Sequence, residues 1–151
     1  MVYEHNPVLP IPEDVIPHRP PHLFLSGVTE LTEDGAKGFW LPGKEHFAGH
    51  FPGMPLLPGV YQVESVAQLG AYAAMAKSEE PILGLFKGIE STHFERVVKP
   101  GDFLELAVEI IDRNKRDFKG KGIVEVSGQL ACETTIIGAL LPERVAKRML
   151  S

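Results

Sequence analysis

The sequence predicts an α+β fold, with one long helix lying against a curved antiparallel sheet. Three observations carry this. The run from Val60 to about Lys77 is built of good helix formers and small residues, and no proline occurs after Pro58 until Pro81. Residues 103–111 alternate, with Leu104, Leu106, Val108 and Ile110 on one side and Glu105 and Glu109 on the other. Alternation of this kind leaves one face buried and one wet, as in an antiparallel sheet. The helix is also rich in alanine and glycine, so a sheet can approach it closely.

Leu23-Phe24-Leu25 through Thr29 and Gly38–Leu41 read as short strands divided by the turn Glu33-Asp34-Gly35. Pro58 and Gly59 stop the preceding segment and open the helix. At ~100° per residue, Val60, Val63, Ala67, Gly70, Ala71, Ala74 and Met75 share an apolar arc expected to face the core. Ile82 to Ile89 is the next strand, followed by 103–111. In 122–137, Val124, Val126, Leu130 and Cys132 oppose Glu125, Gln129 and Glu133. The tail from Pro142 to Leu150 predicts a short amphipathic helix. The expected organisation is a single domain over residues 1–151, with a core of about 12–137 and a C-terminal extension, 138–151, to which no role is assigned.

Bulk properties narrow the class. At 151 residues one domain can bury about two-thirds of its unfolded surface. The net charge of −5 argues against nucleic acid. No run approaches the ~18 apolar residues of a membrane span. Residues Met1 to Asn6 lack the basic-then-apolar pattern of a secretory signal. The single cysteine, Cys132, rules out an internal disulfide and suits a reducing compartment. A cytoplasmic protein is expected.

The chemistry concentrates in Gly49 to Gln68. His50 lies in a segment stiffened by Pro52, Pro55 and Pro58. An imidazole held still, with an ordinary pKa near ~6.5, can serve as a base at neutral pH. Glu64 falls on the helix, within the apolar arc, with Gln68 one turn on. A carboxylate there is either a hydrogen-bonded structural group or, with its pKa raised by burial, an acid. The Gly59 end of the helix offers free backbone N–H groups. His46, four residues before His50, invites a zinc reading. Gly49 and Pro52 argue against a helix there, Glu45 precedes His46, and no third ligand is evident, so no metal site is expected.

The pattern His50-Phe-Pro-Gly-x-Pro-x-x-Pro-Gly-Val, then Glu64 and Gln68, resembles the signature of the beta-hydroxyacyl-[acyl-carrier-protein] dehydratases. Ile16-Pro17-His18-Arg19-Pro20-Pro21 resembles that family's N-terminal Pro-His-Arg segment. Gly88-Ile89, Phe94, Val98 and Pro100-Gly101-Asp102 resemble its later run. The likeness covers roughly residues 12–137. Ser26, Lys44 and Val97 depart from the usual aspartate, asparagine and proline.

The resemblance implies a hot-dog fold and dehydration of (3R)-hydroxyacyl thioesters on acyl carrier protein to trans-2-enoyl thioesters. It implies His50 as base, Glu64 of a partner subunit as acid, Gly59 as donor to the thioester oxygen and Gln68 as support for Glu64. Phe51 and Val60 are the expected substrate neighbours. No cofactor is implied beyond the phosphopantetheine arm carrying the substrate. The implied assembly is a homodimer, with a trimer of dimers left open. Alternatives on the same fold are a thioesterase using Glu64 to activate water, a double-bond isomerase and an acyl-binding protein without turnover. Residues 113–121 carry five positive charges against one negative. They are either a solvated hairpin tip or, through Lys115, Arg116 and Lys119, a docking patch for an acidic carrier protein.

Overall fold

The structure, a computed structural model, describes residues 7–151; the N-terminal segment 1–6, and with it the reading of its signal pattern, lies outside the described residues. A single long helix, α1 (Gly59–Met75), is wrapped by a six-stranded antiparallel sheet. This is the hot-dog arrangement. The strands are β1 (Gly27–Leu31), β2 (Gly35–Trp40), β3 (Ile82–Phe94), β4 (Leu104–Arg113), β5 (Asp117–Val126) and β6 (Gln129–Pro142). Their order is β1-β2-β4-β5-β6-β3, so β1 and β3 are the two edges. A short helix, α2 (Glu143–Met149), follows β6 and carries an ion pair between Glu143 and Lys147 at 3.1 Å.

Three expectations need correction. Leu23 to Leu25 are not in a strand, which begins at Gly27. Phe24 and Leu25 are instead core residues in a loop, and the Phe24 N–H is taken by the Gln68 side chain rather than by a neighbouring strand. Residues 122–137 are two strands, because Ser127 and Gly128 both take positive φ, 51° and 76°, and fold β5 back on β6. Two consecutive residues at positive φ match the twist of paired strands and make a tight hairpin. The sheet also runs beyond residue 137: Gly138 to Pro142 pair with β3.

The third correction concerns the helix. Val60 is 67% exposed, and Val60, Glu64, Ala67 and Met75 lie on the least covered stripe of α1. Val66, Leu69 and Gly70 face the sheet, against Gly122, Gly38 and Ile136. Of the expected arc, Val63, Gly70, Ala71 and Ala74 are buried and Val60, Ala67 and Met75 are not, because nearly every side chain here is apolar or small, which leaves little periodicity to read. Polar residues that normally mark the wet side are buried instead: Ser65 donates to the Gln62 carbonyl at 2.7 Å, Gln68 bonds as described below, and the Gln62 Oε1 is buried without a partner among the described residues. Close packing of helix on sheet needs Gly122, where an added Cβ would sit 2.2 Å from Val66 Cγ1.

Candidate active site

His50 sits in the loop between β2 and α1. Its Nδ1 lies 2.9 Å from the Leu56 carbonyl. A carbonyl only accepts, so Nδ1 carries the proton and Nε2 keeps its lone pair. The Leu56 N–H in turn donates to the His50 carbonyl at 2.8 Å, and the Leu57 N–H donates to Val98 at 2.9 Å, which ties the loop to the segment before β4. Phe51 stacks on the imidazole with centroids 4.0 Å apart and is 47% exposed. His46 belongs to the scaffold. Its Nδ1 accepts from Gly43 N–H at 3.1 Å and its Nε2 donates to the Pro21 carbonyl at 3.2 Å, among Phe24, Trp40 and Tyr61.

Glu64 projects from α1 into a cluster with His18 and His22. Its Oε1 is 3.2 Å from His22 Nε2, 3.0 Å from Gln68 Nε2 and 4.0 Å from His18 Nε2. Gln68 is fully buried and clamps the N-terminal loop to the helix. Its Oε1 accepts from Phe24 N–H at 2.7 Å and its Nε2 also donates to the His22 carbonyl at 3.0 Å. Arg19 stiffens the same loop by donating to the carbonyls of Ile16, His18 and Glu13. Burial holds the His18 imidazole below its usual pKa of 6.5; Glu64 pulls the other way, and His22 and Arg19 add to the depression. The hydrogen bonds of His50 and those of Glu64 share no partner within this chain.

Gly59 is the first residue of α1, after Pro58. As a first-turn residue, its N–H has no intrahelical acceptor and adds to the positive end of the helix. A Cβ at Gly59 would meet the Phe94 ring at 2.9 Å. A narrow cavity of about 50 Å³ lies between α1 and strands β3 and β6, lined by Glu64, His18, Ala67 and Ala71 and by Phe118 of β5.

His18 and His22 were not among the expected site residues. The Pro-His-Arg segment was the one available signal, and it reached His18 alone; His22 lies 42 residues from Glu64 with no motif around it. The basic segment is shorter than expected, since the β4–β5 tip comprises only Asn114 to Arg116. Lys115 and Arg116 are exposed there. Lys119 is paired with Glu90 at 3.2 Å, and Lys87 with Asp117 at 3.0 Å. Among the described residues no helix is long and apolar enough to cross a membrane.

Comparison with known proteins gives concordant results. The family described as "ApeI-like: ApeI dehydratase" matches residues 39–129. The 3-hydroxyacyl-[acyl-carrier-protein] dehydratase FabZ of Bacillus subtilis is 42% identical over 132 residues, covering 85% of this chain and 94% of that protein. FabZ of a Geobacillus species is 43% identical, covering 83% and 90%. Among solved structures, the dehydratase heterocomplex ApeI:P of Xenorhabdus doucetiae superposes with a TM-score of 0.76 at 13% identity, over 95% of this chain and 99% of that one. A hypothetical thioesterase with coenzyme A from Streptococcus pneumoniae gives 0.62 at 10% identity, over 76% and 84%. These last two likenesses speak to the fold.

Proposed function

The chain belongs to the 3-hydroxyacyl-[acyl-carrier-protein] dehydratase family and is an enzyme of that kind, and from this premise we propose how its residues remove water from the acyl thioester in fatty acid biosynthesis. The substrate's C2 proton lies beside the thioester carbonyl. His50 Nε2 takes that proton, and negative charge builds on the carbonyl oxygen. The Gly59 N–H and the positive end of α1 stabilise it, as donors aimed at developing charge do. The C2 electrons form the C2–C3 double bond, the C3–O bond breaks, and Glu64 protonates the departing hydroxyl to give water. Gln68 holds Glu64 in place. Phe51 and Val60 flank the entering thioester. The acyl chain runs into the cavity beside Ala67 and Ala71. The steps are two proton transfers with cleavage of the C3–O bond, and the substrate brings its own phosphopantetheine arm.

The observation that carries this reading is the His50 hydrogen bond to Leu56, which leaves a basic nitrogen on a braced loop. The complete site is proposed to form between two copies, with Glu64 supplied across the interface. The support is β3: thirteen residues at a sheet edge, with Leu85, Phe86, Ile89 and Phe94 43–52% exposed. An open apolar edge of that length is a template for another strand. Cytoplasmic action with acyl carrier protein as partner completes the reading, with Lys115 and Arg116 as docking charges and Lys119 contributing less because of Glu90. Reversing Lys115 and Arg116 to glutamate should raise KM for the carrier-bound substrate without changing turnover at saturation. Equal loss on a short synthetic thioester would remove them from docking.

The direct test supplies a 3-hydroxyacyl carrier-protein thioester and follows both enoyl thioester and free thiol. Enoyl product without thiol is expected. Released thiol would make the chain a thioesterase, and neither product would leave an acyl-binding protein.

A further inference from the structure

We propose that Phe118 is the stop that limits acyl-chain length, a role that rests on the dehydratase reading above. Phe118 is buried, at 6% exposed, on β5. Its ring lines the cavity that Glu64 also lines. The same ring lines a second cleft of about 310 Å³, bordered by Ala73, Ala74, Ile110 and Lys77. Phe118 is the one residue common to both linings. The two spaces lie on different flanks of α1, the first against β6 and β3 and the second against β4, and Phe118 of β5 lies between them, so the ring is a partition between neighbouring compartments.

The ring fills a slot left by one absent side chain, at Gly138, and rests in ordinary contact distance of Gly70. A Cβ at Gly138 of β6 would lie 2.3 Å from Phe118 Cε1, and one at Gly70 of α1 would lie 3.6 Å from Cε2. Glycine at 138 therefore opens the slot that the ring fills. An acyl chain whose thioester sits near Gly59 and Glu64 would direct its methyl end at this ring. Beyond the ring Ala73, Ala74, Ile110 and Ile111 offer apolar wall, alongside the charged Glu33, Asp34, Lys77, Asp112 and Arg113. Removing the ring joins the compartments and gives further methylenes an apolar surface. Each buried methylene changes binding about fourfold, so a two-carbon step changes it on the order of tenfold.

The experiment measures kcat/KM for the intact protein on a series of 3-hydroxyacyl carrier-protein thioesters lengthened by two carbons at a time. The wild type should show a length beyond which kcat/KM falls. Phe118→Ala should move that break to longer chains, with gains on the order of tenfold per added two-carbon step past the wild-type limit, and Phe118→Leu should move it part of the way. Gly138→Ala, which puts a methyl against the ring and into the lining of the first cavity, should move it to shorter chains. Where Phe118→Ala fails to melt cooperatively, Phe118→Leu and Gly138→Ala decide. A break at one length in wild type and all folded variants overturns the stop. Absence of enoyl product from the wild type at every length overturns the dehydratase reading instead.

Discussion

At His50 a single hydrogen bond decides what the side chain can do. With the Nδ1 proton committed to Leu56, the basic lone pair is on Nε2 before substrate arrives. His50→Ala should cost ~10²–10⁴ in turnover, the usual worth of a positioned general base, with circular dichroism and sedimentation unchanged because the loop is also held by backbone bonds. Wild-type turnover in the variant would exclude the role. His18 makes a different prediction. Burial holds its folded pKa below 6.5, so at acid pH the unfolded chain binds a proton that the folded chain refuses. Stability from this group is therefore present above pH 6.5 and is lost as pH falls from there toward the folded value. His18→Gln should flatten that part of the melting temperature against pH curve; an unchanged slope would assign the pH dependence elsewhere. His50 and Glu64 were legible because their motif is local. His22 was not, because its place beside Glu64 depends on how the Gln68 clamp folds a distant loop back.

At the level of elements, period-2 alternation identified β4, and the proline-free run identified α1 to within two residues at each end. Alternation does not mark where a strand turns back, since a tight hairpin can preserve the inside–outside pattern through the bend. That is why β5 and β6 read as one segment until the positive φ of Ser127 and Gly128 divided them. The helix face was legible only in part, at Val63, Gly70, Ala71 and Ala74, for the opposite reason, an excess of small apolar residues. What sets the helix against the sheet is contact at sites such as Gly122. Gly122→Ala drives a methyl into Val66 and should cost about 1–3 kcal/mol by overpacking, or roughly 2–4 °C of melting temperature per kcal/mol in a chain of this size. Gly122→Ala combined with Val66→Ala should recover part of the loss. No change in the single variant would show that the helix can ride further from the sheet at no cost.

For the whole molecule, the decisive question is where each half of a site comes from. His50→Ala and Glu64→Gln proteins, each inactive alone, should regain activity when mixed and allowed to exchange subunits, because one of the two sites in a mixed dimer then holds both native groups. No recovery, with mixed dimers verified by mass, would place both groups of a site on one chain. The resemblance implied shared sites. The sequence alone could not say so, because a strand's position at the sheet edge is a property of topology and not of its residues.

The inequality of the two sheet edges has its own outcome. β3 is long, apolar and unpaired on its outer side, whereas β1 is five residues long, bulged between Val28 and Glu30, and screened by the Glu30–Lys37 ion pair at 3.7 Å. Pairing β3 with β3 about a two-fold axis consumes the adhesive edge of both copies in one event. The rims left outside are short and charged, which is how sheets resist adding strands. In the proposed pairing, assembly through the sheet is self-terminating: the surface that recruits a second copy is gone once it arrives, and crowding the protein should not seed fibres.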